Sequence, residues 1–336
     1  MTQKKVVIAG ASGAVGRTMV RVLEERDFPV SQLRLLSSAR SAGKKIAYKG
    51  EQITVEEMNA ESFDGFEIAI FSMPKNVSRE FAPVAAKAGC VVVDNSNAWR
   101  MDDEVPLVVP EVNPDDVKKT KKGIIANPNC STIQMVVALK PLHDAAGLKR
   151  VVVATYQAVS GVSLDAIEEL RKESRQALAG ETVALDIFPK QIAFNCLPQI
   201  PQSDAFVDNG YTTEEMKMQN ETRKIMGDDT IRVSATTVRV PVIIGHSEAV
   251  NAEFERKLTA AEARELLAAF PGVTVMDDPA AGVWPTALDC EDKDDVFVGR
   301  IREDISCDNA LELWIVSDNL RKGAATNAVQ IAELLL

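Results

Sequence analysis

The chain has 336 residues, too many for one ordinary domain and enough for two that each bury a core. Hydrophobic residues make up 46% and charged residues 26%, a globular balance with no biased tract that suggests disorder. The formal net charge of −11 argues against a nucleic-acid binder, since affinity for phosphate backbones comes from Lys and Arg; a local basic patch for one small phosphate ligand stays open.

Lys4 and Lys5 precede an apolar stretch from Val6 to Val15 that superficially copies a secretory signal. Gly10 and Gly13 interrupt it, Gly16, Arg17 and Arg21 follow, and no clear cleavage site appears. No uninterrupted apolar run is long enough to span a bilayer. The expectation is a cytoplasmic protein with no membrane partner. The five cysteines agree, being odd in number and scattered (Cys90, Cys130, Cys196, Cys290, Cys307), with no paired metal-type spacing and no disulfide framework.

Strand and helix signals alternate through the first part of the chain. Val6–Ala9 reads as a short buried strand entering a glycine loop, and Ala14 to Arg26 as a helix. Leu33–Leu36, Ile68–Phe71, Val91–Val93, Leu107–Val109 and Ile124–Ala126 are further strand candidates, with a helix over Val77–Lys87. This alternation predicts a Rossmann-type doubly wound parallel sheet, assigned to residues 1–129. Beyond it come longer strand-like runs: Val151–Val159, Ile231–Val242, Ala249–Phe254, Val296–Ile301 and Leu311–Ser317. Helical stretches Leu164–Ala179, Glu214–Met226 and Ala260–Ala268 separate them. The reading is an α+β domain over residues 130–319 with a mixed or antiparallel sheet and helices on one face. A closing helix within 320–336, roughly Gly323–Leu336, is apolar on one side and expected to pack back on the first domain.

The loop Gly10-Ala-Ser12-Gly13-Ala14-Val15-Gly16 follows a strand and opens a helix, the context a dinucleotide loop requires. Small residues admit a pyrophosphate, and the helix start supplies free N–H groups and a positive dipole. The spacing is G-x-x-G-x-x-G, and a tight strand–helix turn is the bland alternative. An NAD enzyme usually places a carboxylate at the end of the second strand. This chain instead has Ser37-Ser38-Ala39-Arg40-Ser41-Ala42-Gly43-Lys44-Lys45, whose hydroxyls and guanidinium suit a 2′-phosphate. The cofactor expectation is NADP, and no motif calls for a metal.

Asn127-Pro128-Asn129-Cys130-Ser131-Thr132 lies between a strand and a helix signal. A cysteine at a helix start meets a dipole and unpaired amides that favour thiolate, and the same amides can hold an oxyanion. A lone cysteine is more often a buried small hydrophobe. Cys90 fits that description, and Cys196, Cys290 and Cys307 have no comparable setting. Only two histidines exist. His143, near a helix end, suits a capping or surface role. His246 follows a strand break at Gly245 in Arg239-Val-Pro-Val-Ile-Ile-Gly-His246. Arg239 sits in an apolar run where a buried guanidinium needs an anion, either a structural carboxylate or a substrate's. The functional reading has Arg239 gripping a substrate carboxylate while His246 exchanges protons with the reacting carbonyl.

Together GASGAVG, SSARSAGK, DNSNAWRM, NPNCSTIQ, TYQAVSG, EEMK, RVPVIIGHSEA and DNLRKGAA resemble the aspartate-β-semialdehyde dehydrogenase family over almost the whole chain. The resemblance implies that Cys130 is the acyl-carrying nucleophile and His246 the acid/base. It assigns Arg239 to the substrate α-carboxylate, Gln157 to substrate positioning, Glu214 to the amino group, Arg100 and Lys217 to phosphate, and Asn129 to substrate contact. Gly10, Ser12, Gly13, Ala14, Val15, Ser38, Arg40, Ser41, Ser160, Gly161 and Asn319 would touch NADP. Gln157, Glu214 and Asn319 rest on the resemblance alone; without it, Glu214 and Lys217 read as an ordinary exposed helix pair. The implied reaction is NADPH-dependent reduction of L-aspartyl 4-phosphate to L-aspartate 4-semialdehyde, on the route to lysine, threonine, methionine and diaminopimelate. A homodimer or homotetramer is expected. The alternatives are a related acyl-phosphate reductase, such as N-acetyl-glutamyl-phosphate reductase, and a non-catalytic NADP-binding sensor. The former typically has Tyr or Phe after its cysteine, where this chain has Ser131 and Thr132; the latter needs no cysteine at a helix start.

Overall fold

The structure, a computed structural model, describes residues 3–336. It divides into two compact units, residues 1–129 with 323–336, and residues 130–322.

In the first unit, β1 (Lys4–Ala9) ends in four fully buried residues and runs into Gly10, whose φ of +87° turns the chain sharply. The helix α1 (Ala14–Glu25) follows and buries Met19, Val20, Val22 and Leu23 on one stripe. Then come β2 (Val30–Ser37), β3 (Lys45–Tyr48), β4 (Glu51–Glu57), β5 (Ile68–Phe71), α2 (Lys75–Lys87), β6 (Val91–Asp94) and β7 (Ile124–Ala126). The sheet order is β3-β4-β2-β1-β5-β6-β7, parallel throughout except for the β3–β4 pair. Strand order reverses between β1 and β5, and the glycine loop leaves β1 at its carboxyl end, where open α/β sheets bind ligands. The helix Thr326–Glu333 inserts Ala328, Val329, Ile331 and Ala332 into the core that holds Met19, Leu23, Ile70 and Val93. Arg26 ties it down through two bonds to Glu333, at 2.7 and 2.8 Å.

Two expectations for this unit need correction. Leu107–Val109 is not a strand, since only Leu107 forms an isolated bridge, to Ala126. Pro106 and Pro110 bracket the segment and remove the donors a ladder needs. The closing helix does not run from Gly323 to Leu336: Arg321–Ala325 winds as a π-turn, and the α-helix ends at Glu333. The β3–β4 hairpin was not anticipated. Its turn residues Lys49 and Gly50 both have positive φ, the signature of a two-residue primed turn.

The second unit opens with α3 (Cys130–Ala146), buried along most of its length, and β8 (Leu148–Gln157). It continues with α4 (Leu164–Leu178), α5 (Thr213–Met226), β9 (Arg232–Arg239), β10 (His246–Phe254), α6 (Ala260–Ala269), β11 (Val273–Val275), α7 (Ala287–Cys290), β12 (Val296–Glu303) and β13 (Ala310–Ser317). The sheet is mixed, in order β11-β12-β13-β10-β8-β9, with β8–β9 and β11–β12 parallel and the rest antiparallel. Strand bounds shift where the chain meets the site. β9 stops at Arg239, short of the expected Val242, because its partner β8 ends at Gln157 and Pro241 offers no donor. β10 begins at His246, three residues before the expected start.

One face of this sheet carries Thr155, Gln157, His246, Glu248 and Ser317, all buried. The other carries Tyr156 and Trp314, whose rings lie 5.5 Å apart; Trp314 also lines a groove of about 1290 Å³ with Ile243, Trp284, Leu288 and Arg300. Between α4 and α5, the backbone N–H groups of Asp186, Ile187 and Phe188 donate to Glu169. Those of Ile192 and Ala193 donate to Glu173. The same segment then pairs Leu197 with Arg239 through two backbone bonds of 2.8 and 2.9 Å. Two buried carboxylates thus anchor a stretch without regular structure against the end of β9.

Candidate active site

In the first unit the loop after β1 is built for close approach. A Cβ on Gly10 would lie 2.0 Å from the Ser72 carbonyl oxygen, and one on Gly16 would lie 2.2 Å from that of Gly10. Backbone N–H groups of Gly10 and Ala11 donate to the Leu36 carbonyl at 2.8 and 3.0 Å, holding the loop to the end of β2. The Ser12 and Ser37 hydroxyls meet at 2.7 Å. No side chain caps Gly13, and no acidic residue occupies the first turn beyond it, where Ala14 and Val15 begin α1. Such a helix start, stripped of anions, favours a pyrophosphate. After β2, Ser38 leads a short 3₁₀ turn, Ala39–Ser41, in which Ser38 and Arg40 are exposed and Ser41 is buried. These residues fit an NADP-type dinucleotide.

Also in this unit, Arg100 is buried and donates to the carbonyls of Asn127, at 2.9 Å, and Asn95, at 2.8 Å. Asn127 is itself locked, its amide donating to Asn95 Oδ1 at 2.8 Å while its Oδ1 accepts from Asn327 at 2.7 Å. Asn129, buried, ends the unit.

In the second unit Cys130 is the first residue of α3 and is partly exposed. Its neighbour Ser131 accepts a 2.6 Å hydrogen bond from Gln157 Nε2, which also reaches Glu214 Oε1 at 3.2 Å. Gln157 lies at the end of β8, and antiparallel pairing of Tyr156 with Ser247 places His246 across from it. Glu214 is buried in the first turn of α5 and pairs with Lys217 at 2.9 Å. What reads as an exposed helix pair therefore faces inward. Arg239 ends β9, is 5% exposed, and donates from Nη1 to the Ala158 carbonyl at 2.7 Å, while its Nε is buried without a partner. Burial pulls the Arg239 pKa down; the negative charge of Glu214 and then of Cys130 opposes this. The guanidinium is thus near both.

His246 is completely buried. Its Nδ1 accepts the Ala158 N–H at 3.0 Å, and its Nε2 has no partner. Burial and then the Arg239 charge push its pKa down to about 3, against weaker opposition from Glu214 and the Gly245 backbone. Gly161 leaves room for this meeting, since a Cβ there would lie 3.3 Å from both Arg239 Nη1 and His246 Nε2. Asn319 braces the same region, donating to Ser160 Oγ at 3.0 Å and accepting the Gly245 N–H at 2.9 Å. The fold therefore gathers Cys130, Gln157, Gly161, Glu214, Lys217, Arg239 and His246, with Ser160 and Asn319 beside them. Sequence reasoning passed over Ser131 and the Ala158 backbone. Ser131 was within the quoted motif; the Ala158 contacts had no sequence signal, since any residue supplies an amide and a carbonyl.

The other candidates stand apart. His143 accepts the Leu148 N–H at 3.0 Å at the end of α3, a local cap. Cys90 is buried with its thiol directed to the Phe66 carbonyl, and burial raises it to about 11. Cys290 is buried and raised to about 12 for the same reason. Cys196 is exposed and Cys307 partly so. Among the described residues no cluster suits a metal, and no helix is long and apolar enough to cross a membrane.

The chain is similar to known proteins along its length. Residues 5–120 match the family model described as semialdehyde dehydrogenase, NAD binding domain, and residues 139–322 the semialdehyde dehydrogenase dimerisation domain. Aspartate-semialdehyde dehydrogenase of Aquifex aeolicus is 57% identical, covering 99% of this chain and 98% of the relative. The crystal structure of aspartate semialdehyde dehydrogenase II from Vibrio cholerae, complexed with ASA, superposes with a TM-score of 0.95 at 48% identity, covering 100% of this chain and 98% of that one. The Candida albicans enzyme with NADP does so with a TM-score of 0.74 at 26% identity, covering 99% and 98%. The mixed sheet, the glycine loop and a cysteine heading the first helix of the second unit thus occur in a chain that belongs to the aspartate-semialdehyde dehydrogenase family.

Proposed function

We propose that the protein is the NADPH-dependent enzyme that converts L-aspartyl 4-phosphate to L-aspartate 4-semialdehyde through a thioester on Cys130. This places it in the biosynthesis of lysine, threonine, methionine and diaminopimelate. The observation that carries the residue assignments is Arg239: a buried guanidinium with one hydrogen bond and no ion pair, beside a cysteine at a helix start. A buried cation of this kind demands an anion, and an α-carboxylate supplies one in a bidentate geometry.

The chemistry follows from the side chains. The start of α3 favours the Cys130 thiolate, which attacks the acyl carbon and splits one difficult reduction into two easier steps. Backbone N–H groups at that helix start and the His246 ring serve the carbonyl oxygen. Arg239 grips the α-carboxylate, Glu214 the amino group, and Gln157, held by Ser131, orients the chain of the substrate; Asn129 contributes a further contact. Arg100 and Lys217 are assigned to the phosphate. NADPH bound through Gly10, Ser12, Gly13, Ala14, Val15, Ser38, Arg40, Ser41, Ser160, Gly161 and Asn319 supplies the hydride. Scattered cysteines suit a cytoplasmic setting. A second copy covers the open face of the mixed sheet around Trp314; the apolar groove there and the dimerisation-domain match support this.

Cys130→Ala is expected to lower kcat by about 10⁴-fold or more and to abolish the acyl adduct in intact-protein mass spectra, with NADPH affinity near normal. Substantial turnover in that variant would refute the covalent route.

A further inference from the structure

Residues 180–197 cross from α4 to the mixed sheet without forming a helix or a strand, so their buried backbone N–H groups need acceptors from elsewhere. Two buried carboxylates one turn apart on α4 supply them. Glu169 Oε1 accepts from Asp186 at 2.9 Å and from Phe188 at 3.3 Å, and its Oε2 accepts from Ile187 at 2.8 Å. Glu173 Oε2 accepts from both Ile192, at 2.8 Å, and Ala193, at 2.9 Å, whereas its Oε1 is buried without a partner. Phe188, Ile192 and Leu197 pack with Val159 and Leu170 in one small core. The segment then meets β9, the edge strand of the sheet, in an isolated bridge: Leu197 and Arg239 exchange backbone bonds of 2.9 and 2.8 Å. The same core approaches the guanidinium as well, because Val159 adjoins Ala158, whose carbonyl accepts from Arg239 Nη1 at 2.7 Å.

We propose that Glu169 and Glu173 are positioning residues for substrate recognition: they cinch residues 186–197 into a strap that holds Arg239 where it can grip the substrate carboxylate. The proposal rests on the carboxylate role of Arg239 given above and deepens it. An edge strand has open amides along its outer side, and its terminal residue is the one freest to drift. Arg239 is the last residue of β9, and its planar fork matches a carboxylate only in a narrow geometry. Two residues upstream, Glu215 Oε1 takes the Thr237 N–H at 2.9 Å; at Arg239 the strap takes over. The oxygen-by-oxygen pattern makes the two glutamates unequal. Both strap bonds at Glu173 end on one oxygen, so a glutamine that presents its carbonyl there keeps both. The bonds at Glu169 use both oxygens, so a glutamine must turn its NH2 toward a strap N–H and lose at least one bond. A role in packing alone would not separate the two substitutions.

The test compares Glu173→Ala, Glu173→Gln and Glu169→Gln with wild type in the phosphate-dependent oxidation of aspartate semialdehyde by NADP. Hydrogen exchange is followed in peptides covering residues 186–197 and 232–239. Glu173→Ala should raise KM for the semialdehyde by about tenfold, with kcat within about threefold of wild type and NADP affinity unchanged. Exchange should quicken in both peptides, since the strap and the strand end loosen together. Glu173→Gln should bring KM back to within about twofold of wild type, whereas Glu169→Gln should raise it by about 3- to 10-fold. The latter variant carries the test if the alanine variant does not fold. In an Arg239→Ala background, adding Glu173→Ala should change KM by less than about twofold, because the effect runs through the missing guanidinium. A loss confined to kcat, two glutamine variants of equal KM, or a full effect that persists without Arg239 would overturn the proposal. If Arg239→Ala alone leaves KM unchanged, the carboxylate assignment fails instead, and exchange in residues 232–239 still decides whether the strap holds the strand end.

Discussion

Arg239 concentrates the energetics of the site. A guanidinium that is 5% exposed, with one side-chain hydrogen bond and a bare Nε, is costly to bury without an anion, which is why a substrate carboxylate is the proposed partner. Arg239→Ala is expected to lower kcat/KM by about 10- to 100-fold, with NADPH affinity unchanged by titration. Arg239→Lys should recover little of the loss, because one ammonium cannot reproduce the planar fork. Equal activity of the lysine variant and wild type would show that only charge matters. The cysteines make the complementary point: burial raises Cys90 to about 11 and Cys290 to about 12, leaving both inert, whereas Cys130 is partly exposed at a helix start.

Elements deliver these residues by ending in the right places. β8 stops at Gln157, β9 at Arg239, and β10 starts at His246, so three strands of one sheet present side chains at the same edge. Beside them, α3 contributes Cys130 and Ser131 from its first turn, and α5 contributes Glu214 from its first turn and Lys217 just beyond it. In the first unit the strand–loop–helix passage after β1 admits no side chain at Gly10, where φ is +87° and a Cβ would lie 2.0 Å from a backbone oxygen. Gly10→Ala is therefore expected to destabilise the first unit by about 1–3 kcal/mol and to weaken NADPH binding. Calorimetry and cofactor titration check both, and an unchanged Tm would show that the loop relaxes freely.

Over the whole molecule, one buried group belongs to no catalytic step. Glu248 is fully buried on the face of the mixed sheet that carries His246, and neither of its oxygens has a hydrogen-bond partner. Burial raises its pKa well above 4.5, opposed more weakly by the neighbouring Gln134 amide, which stops short of a hydrogen bond to it. A raised folded-state value means that the folded form holds the proton more tightly than the unfolded chain. The stability this contributes is fully present below about pH 4.5 and is lost as pH rises toward the folded value. Glu248→Gln keeps the shape and removes the titration. It should match wild type near pH 4 in denaturant unfolding, exceed it at about pH 8, and show the flatter stability–pH curve between them. A wild-type curve no steeper than the variant's would show the carboxyl to be solvated or paired.

The boundary between what was legible and what was not follows from range. The glycine loop, the missing carboxylate after the second strand and a cysteine opening a helix are local features, set by backbone geometry within a few residues, so the sequence by itself determined them. It also determined the strands Ile68–Phe71 and Ile124–Ala126 to the residue, because short apolar runs between turn signals have little freedom. Leu107–Val109 was misread because prolines deny an apolar run its ladder, and the β3–β4 hairpin was missed because Lys49 stands before Gly50 where Asn or Asp would announce the turn. The bond that orients His246 joins residues 88 apart, the Gln157 bonds span 26 and 57, and the Arg239 contact spans 81. Such contacts exist only once the sheet has closed its register, so tertiary structure alone decided the surroundings of His246, the isolation of Arg239 and the burial of Glu248. Burial and desolvation, the forces that tune those groups, are properties of the packed fold and leave no mark on neighbouring letters.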